Sequence, residues 1–125
     1  MILDTCALLW LASGDPRLSD STRERIATAP NVEVSAISAF ELGQKYNQGK
    51  LKLPTSPSKW FPSITDHYDI TVEALSAEIC LLATELPEIH KDPFDRLIIA
   101  TAMTKGTPVI TRDSIFERYG IEIIC

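Results

Sequence analysis

Residues 90–113, with the sequence HKDPFDRLIIATAMTKGTPVITRD, place a helix, a turn and a strand in immediate succession. Pro93 favours the first position of a helix, and Gly106 lies where that helix would end. The residues that follow, 108–111, form a short apolar run of the kind that makes a buried strand. The sequence therefore predicts a helix that ends before Gly106 and a strand over 108–111, with Asp113 just beyond that strand.

The remaining chain repeats this alternation of short apolar strands with helices. Strands are predicted over residues 1–3, 31–35, 70–75, 108–111 and 121–124. Helices are predicted over residues 6–12, 21–29, 38–47, 76–86 and 93–105, with a loop and a short helix over 50–62 and a helical turn over 114–119. This pattern indicates an α/β fold in which helices flank both faces of a central parallel sheet. A chain of 125 residues fits a single domain over 1–125.

The charge and the cysteines of the chain exclude several classes of protein. Its 17 acidic and 12 basic residues give a net charge of −5, whereas proteins that coat nucleic acid non-specifically carry a basic surplus. An enzyme whose carboxylates hold divalent cations is compatible with this charge. The three cysteines form no C-x-x-C pair, so neither a zinc site nor a disulfide framework is indicated. Because no stretch is long enough to span a membrane and no signal-peptide features are present, we expect a cytoplasmic protein without a membrane partner.

Four acidic residues follow predicted strands or begin predicted helices, namely Asp4, Glu41, Asp95 and Asp113. Asp4 and Asp113 come after the first and the fourth strand, and Glu41 and Asp95 lie in the first turns of their helices. In a parallel sheet the strand ends and the helix starts share one edge, which is where ligands bind. We therefore expect the four side chains to converge.

Taken singly, each of these acids has an ordinary structural explanation. Asp4 and Asp113 could cap helices. Glu41 could form a capping box with Ser38, and Asp95 could be favoured by the helix dipole. Four carboxylates close together would nevertheless repel one another strongly unless a cation lay among them. Because hard oxygen ligands suit Mg²⁺ or Mn²⁺ better than zinc, the acids predict a magnesium or manganese site.

Neighbouring residues could contribute to such a site. Arg96 and Arg112 each adjoin one of the acids, and each could hold a phosphate of a substrate or pair with that acid. Thr5 could bind a substrate through its hydroxyl or cap the first helix. His90 lies before a predicted helix and is interpreted as a surface histidine rather than as a general base.

The segment that follows Glu41 is basic. Lys45, Lys50 and Lys52 lie in it with no acidic residue between them. This pattern favours either a landing surface for a phosphate backbone or a solvated loop, and the sequence leaves both open.

Four segments of the chain resemble the PIN-domain ribonucleases and, more narrowly, the VapC-like toxins of prokaryotic type II toxin–antitoxin pairs. The segments are LDTCALLWL at 3–11, VSAISAFELGQKYNQGKLKLP at 34–54, HKDPFDRLIIATAM at 90–103 and PVITRD at 108–113. The similarity extends from Met1 to Tyr119. Its specificity lies in the combination, since any one of these segments alone is a weak signal.

This resemblance implies that the four acids correspond to the acidic quartet of the family. It also implies an Mg²⁺- or Mn²⁺-dependent endoribonuclease that acts on RNA, is usually a homodimer and is neutralised by a cognate antitoxin. Two positions depart from the family pattern. Cys6 stands where close relatives often have histidine, and Phe116 stands where some members have a fifth acid. The second departure leaves open whether the site holds one metal ion or two.

Two other functions are compatible with acids at one edge of an α/β sheet. A receiver-like phosphoacceptor domain needs a lysine at the end of a later strand, but the strand over 108–111 runs into Arg112. A non-catalytic binding module that keeps the PIN fold would not need all four acids. Their joint presence therefore favours the enzyme.

Overall fold

The protein contains one sheet of five parallel strands. The computed structural model describes residues 1–125. Its strands are β1 (Ile2–Leu3), β2 (Val32–Ser35), β3 (Ile70–Glu73), β4 (Val109–Ile110) and β5 (Ile123–Ile124). Their order in the sheet is β3-β2-β1-β4-β5, so β1 is central, with β2 on one side and β4 on the other.

Six α-helices and one 3₁₀ helix surround this sheet. The α-helices are α1 (Thr5–Ser13), α2 (Asp20–Thr28), α3 (Ala36–Asn47), α4 (Pro57–His67), α5 (Ala77–Glu85) and α6 (Pro93–Lys105), and the 3₁₀ helix is Ser114–Tyr119. None of them combines the length and the apolar character that crossing a bilayer requires. The parallel sheet with its connecting helices confirms the predicted α/β fold.

The two faces of the sheet pack against different helices. Leu3 lies in an apolar cluster with buried residues of α1 to α4, which we call the first core. Its neighbour Ile2 lies in a second apolar cluster with residues of α5 and α6. Ile110 and Val109 of β4 divide between the two cores in the same way. Because successive strand residues point to opposite faces, even a strand of two residues contributes to both cores.

Several strands are shorter than the apolar runs predict. β3 ends at Glu73 rather than at residue 75, β4 has two residues, and β5 begins at Ile123 rather than at residue 121. The flanking residue Ile121 is only 7% exposed and belongs to the second core, although it lies outside the ladder. Apolar character therefore identifies core residues better than it identifies the ends of strands.

The helix α3 begins two residues before its predicted start at Ser38. Ser35 caps it, because its hydroxyl oxygen accepts a hydrogen bond from the Ile37 N–H at 3.1 Å. Glu41 consequently lies in the second turn rather than the first, and it forms no capping box with Ser38. A capping box with Ser38 therefore does not explain why an acid stands at position 41.

The helix α4 continues to His67, past the predicted end at residue 62. It passes through Pro62, which lacks a backbone N–H and costs the helix one hydrogen bond. Trp60 and Ile64, one turn apart, pack against the first core. Burial of this face stabilises the helix across the proline, since most helical stability in proteins comes from tertiary packing.

We expect Leu8→Ala to lower the free energy of unfolding by about 2–5 kcal/mol, because Leu8 is fully buried in the first core and alanine leaves a cavity. Leu81→Ala is the matched control, since Leu81 is 61% exposed and its truncation should change stability by about 0.5 kcal/mol or less. Urea unfolding of both variants measures the difference. Equal losses would contradict this assignment of the core.

Candidate active site

Asp4 lies at the carboxyl end of the central strand and caps the helix α1. Its backbone N–H donates to the Ile110 carbonyl at 3.1 Å, and its Oδ1 accepts from the Ala7 N–H at 2.7 Å. The residue is only 7% exposed. Burial raises the pKa of Asp4, hydrogen bonds to the carboxylate oppose that rise, and the charges of Glu41 and Asp113 add to it. Asp4 is therefore both a helix cap and a buried acid among other acids.

Glu41 enters the site from α3. Its Oε2 lies 2.9 Å from Lys45 Nζ one turn later, whereas its Oε1 is buried and has no hydrogen-bond partner. Leaving a buried polar atom unpaired costs about 1–3 kcal/mol, and more where the group is charged. The unpaired oxygen marks a position at which a bound cation would be stabilised.

Asp95 and Asp113 meet at a histidine. Asp95 lies in the first turn of α6, and Asp113 caps the 3₁₀ helix, with its Oδ1 accepting from the Ile115 N–H at 3.0 Å. His90 Nε2 lies 2.8 Å from Asp95 Oδ2 and 3.3 Å from Asp113 Oδ2. One ligand atom from each of these three residues lies within 4.8 Å of the other two. Such a cluster is compact enough to surround a single cation.

The interpretation of His90 as a surface histidine is wrong. Its side chain is 15% exposed, and its ring lies edge-on to the buried Phe116, with the centroids 6.2 Å apart. The sequence signal that could have indicated this contact is the position of His90, three residues before Pro93. That spacing places it on the chain that approaches the N-terminus of α6, next to the turn that holds Asp95. Hydrophobic periodicity gives no direction for a side chain in such a loop, so the sequence pattern did not reveal the contact.

The four acids interact through their charges, and two of them, Asp95 and Asp113, come together at His90. The charge of Asp4 acts on Asp95, and the charges of Glu41 and Asp113 act on Asp4. Burial raises the pKa of Asp95 to about 6, the charges of Asp92 and Asp4 add to that rise, and His90 opposes it. Because all four acids supply hard carboxylate oxygens, the set fits Mg²⁺ or Mn²⁺.

Arg96 does not serve the site in the predicted way. Its guanidinium donates hydrogen bonds of 2.7–3.1 Å to four backbone carbonyls, those of Ala83, Leu86, Pro87 and His90. The five N–H donors of an arginine are fully used by these contacts. Arg96 therefore has no donor left for a phosphate, and it forms no ion pair with Asp95.

Thr5 and Arg112 occupy opposite environments. Thr5 is 3% exposed, and its hydroxyl lies 2.9 Å from the Ser38 hydroxyl, which joins α1 to α3. The cap of α1 is Asp4 rather than Thr5. Arg112 is exposed next to Asp113 and forms no ion pair with any acid of the chain. Its guanidinium is consequently available at the edge of the site.

Comparison with known proteins places this arrangement in a family. Residues 1–122 match the family model that is described as the PIN domain. The chain belongs to the PIN-domain family. Ribonuclease VapC22 of Mycobacterium tuberculosis (strain ATCC 25618 / H37Rv) is 30% identical to this PIN-domain protein over 114 residues, which cover 90% of this chain and 86% of that protein.

Solved structures share the PIN fold at lower sequence identity. VapBC2 from Rickettsia felis, bound to a DNA fragment from their promoter, matches with a TM-score of 0.70 and 19% identity, over 98% of this chain and 96% of that chain. FitAcB from Neisseria gonorrhoeae matches with a TM-score of 0.66 and 17% identity, over 99% and 96% of the two chains. FitAB bound to the IR36 DNA fragment also gives 0.66, with 14% identity over 98% and 92% of the two chains. At these identities the likeness establishes the fold alone.

The pKa of Asp95 predicts how the stability of the metal-free protein varies with pH. This pKa is about 6 in the folded protein, against an ordinary value of 3.8. Between pH 4 and 6 the folded protein therefore binds more protons than the unfolded chain, so its free energy of unfolding falls as the pH rises. Asp95→Asn should flatten this fall and leave the variant at least as stable as the wild type near pH 7. Denaturant unfolding in EDTA across this range measures both effects.

Asp66→Asn is the matched control, because Asp66 is exposed in α4. This variant should keep the wild-type dependence on pH. If Asp95→Asn instead lost several kcal/mol at pH 7, Asp95 would be a structural residue, and its loss would exceed the ~1 kcal/mol that a helix cap typically contributes.

Proposed function

We propose that this PIN-domain protein is a metal-dependent endoribonuclease that hydrolyses RNA phosphodiesters, and that it is the toxin of a type II toxin–antitoxin pair. The observation that carries the proposal is the buried, unpartnered Oε1 of Glu41, an acid whose charge acts on the buried carboxylate of Asp4. A buried carboxylate with an unpaired oxygen lowers the stability of the fold, and an enzyme can use such a group in its active site. A binding module that only keeps the fold does not need it. The name of the relative Ribonuclease VapC22 supports the same activity.

Asp4, Glu41, Asp95 and Asp113 are the residues that would hold Mg²⁺ or Mn²⁺. A cation among them would offset the burial of Asp4 and would pair the free oxygen of Glu41. Mg²⁺ normally completes its ligands with phosphate oxygens, so we expect tighter metal binding in the presence of RNA.

A bound cation would neutralise charge on the scissile phosphate and lower the pKa of water beside it. The protein's own part is to position that water and to accept its proton. Glu41 has one oxygen held by Lys45 and the other free, so it either orients the water or completes the set of metal ligands. Attack of water at phosphorus breaks the bond to the 3′ oxygen, which takes up a proton. The products are a 5′-phosphate and a 3′-hydroxyl.

The surface next to Glu41 carries charge of the opposite sign. Residues 42–65 contain four lysines and no acidic residue, in a chain whose net charge is −5. Gly49, with a φ of 72°, lets the chain reverse at the end of α3, and the Lys50 N–H donates to the Lys45 carbonyl at 2.9 Å. This bond places Lys50 beside Lys45, whose ammonium already contacts the Glu41 carboxylate.

The chain after this turn keeps its lysines outward. Leu51 and Leu53 pack against the first core. Lys50 and Lys52, which precede them in alternation, are exposed. Lys45, Lys50 and Lys52 together form a surface that we call the lysine track. We propose that the track binds the phosphate backbone of single-stranded RNA next to the cleavage site.

The proposal extends to the partners and location of the chain. We propose a cognate antitoxin protein that neutralises the enzyme, a second copy in a homodimer, and a cytoplasmic location. The paired names of the solved relatives VapBC2 and FitAB support a protein partner. Co-expression with the product of the reading frame immediately upstream tests this part directly. A complex in which the nuclease is inactive is the expected result.

Purified without an antitoxin, the protein should cleave single-stranded or loop RNA in Mg²⁺ or Mn²⁺, and EDTA should abolish the cleavage. Asp4→Asn, Asp95→Asn and Asp113→Asn should each remove most of the activity, because each takes one charge from the metal site. Glu41→Gln should lower kcat by about 10²–10⁴-fold if Glu41 handles the proton of the attacking water. Cleavage of a labelled RNA, with Mn²⁺ affinity measured in parallel, separates this role from metal binding.

The chemistry of the RNA ends provides an independent check. Attack by water leaves a 5′-phosphate, whereas attack by the 2′-hydroxyl leaves a 2′,3′-cyclic phosphate. Cyclic ends, or cleavage that resists EDTA, would contradict the proposed mechanism. Activity on DNA alone would keep the metal site and overturn the substrate. Asp66→Asn should retain full activity.

Replacing Lys50 and Lys52 by alanine should raise KM for RNA and change kcat little, because these side chains lie along the track rather than among the acids. Each lost phosphate contact should reduce the slope of log KM against log salt by about 0.7. The control is a double alanine variant of Arg25 and Arg118, which are exposed on other elements. If both doubles changed KM equally, the effect would be one of net charge and the track would be refuted.

A further inference from the structure

The segment that carries His90 is fixed by contacts on both sides of its peptide. The His90 N–H donates to the Tyr119 hydroxyl at 2.8 Å, and that hydroxyl donates to the Pro87 carbonyl at 2.7 Å. The His90 carbonyl accepts from Arg96 at 3.0 Å. With Phe116 against its ring, the imidazole is held in place independently of the acids that it meets.

The partners of the ring determine which nitrogen carries hydrogen. Nδ1 faces the Asp92 N–H at 3.4 Å and therefore offers its lone pair. Nε2 faces the carboxylate oxygens of Asp95 and Asp113, which only accept. Assigned from this network, the hydrogen lies on Nε2 and points between the two carboxylates.

The oxygens that remain free indicate how many cations the acids can bind. Asp113 Oδ1 accepts from the Ile115 N–H and Asp113 Oδ2 lies 3.3 Å from His90 Nε2, so each of these oxygens keeps one lone pair for a cation. Asp95 has one oxygen at His90 and one without a hydrogen bond, and Glu41 Oε1 is unpartnered. Asp95 and Glu41 therefore each keep one oxygen that is free of hydrogen bonds, and neither of these oxygens is held by His90.

We propose that His90 takes the place of a second metal ion, so that the acidic quartet holds one divalent cation rather than two. Its Nε2–H hydrogen-bonds to Asp95 at 2.8 Å and lies 3.3 Å from Asp113, so that it partly offsets their repulsion, a role that a second cation would otherwise have. Phe116, fully buried behind the ring, adds no acid that a second cation could use. This inference rests on the proposed metal site.

Mn²⁺ titration of the metal-free protein tests the inference, with free Mn²⁺ followed by electron paramagnetic resonance. The wild type should bind one Mn²⁺ per chain. His90→Ala removes the donor between Asp95 and Asp113, so a second and weaker Mn²⁺ should bind. His90→Gln keeps an N–H near the position of Nε2 and should bind one. His67→Ala, which replaces the other histidine of the chain, is the matched control and should bind one.

Electron spin-echo modulation of the bound Mn²⁺ provides the second readout, and circular dichroism verifies that each variant is folded. The wild type should show no nitrogen coupling from an imidazole ligand. Nitrogen coupling that disappears in His90→Gln would make His90 a metal ligand and overturn the inference. Two Mn²⁺ in the wild type, or one in both His90 variants, would overturn it as well. Absence of any bound Mn²⁺ in the wild type would instead refute the proposed function, and the His90 inference with it.

Discussion

Negative charge concentrated at the carboxyl edge of a small parallel sheet is the constraint on which the arrangement of this protein depends. Each acid has a local contact that partly offsets its negative charge. Asp4 and Asp113 accept hydrogen bonds from helix N-termini, Glu41 pairs with Lys45, and Asp95 meets His90. These contacts leave one oxygen of Glu41 unpaired and the pKa of Asp95 raised. A bound cation would pair this oxygen of Glu41 and would lower the pKa of Asp95.

The segment between α5 and α6 shows how a basic residue can support an acidic site without neutralising it. An Arg96 guanidinium paired with Asp95 would compete directly with a cation for that carboxylate. Its donors are instead directed to backbone carbonyls on both sides of Pro87, including that of His90. The positive charge thereby closes a loop that has few backbone hydrogen bonds of its own. Arg96, which is always charged, therefore stabilises the conformation of the loop. His90, a weaker donor, is the residue that contacts the acids.

The sequence predicts the fold and the four acids because both follow from features that are local along the chain. Two-residue strands such as β1 still appear as apolar runs, and Asp4 directly follows one of them. The sequence places the start of α3 at Ser38 rather than at Ala36 because Ser35 and Ser38 are both good caps, and only packing decides between them. Arg96 and His90 could not be assigned from sequence, since their roles depend on how a loop folds back over a helix N-terminus. Spacing brings residues to an edge of the sheet, but it does not give the directions of their side chains.

The overall negative charge is compatible with the proposed action on RNA, because the basic and acidic residues are unevenly distributed along the chain. Residues 42–65 hold four lysines, whereas all 17 acidic residues and the other eight basic residues lie outside that segment. Under the proposed function, the lysines of this segment would attract phosphates that the acidic remainder of the chain repels, and an approaching strand would thereby be oriented before it makes contact. Lys45 lies where the two regions meet, with its ammonium on the Glu41 carboxylate. A phosphate that displaced this ion pair would release the second oxygen of Glu41 at the moment when the substrate arrives, so that substrate binding and completion of the acidic site would be coupled through one residue.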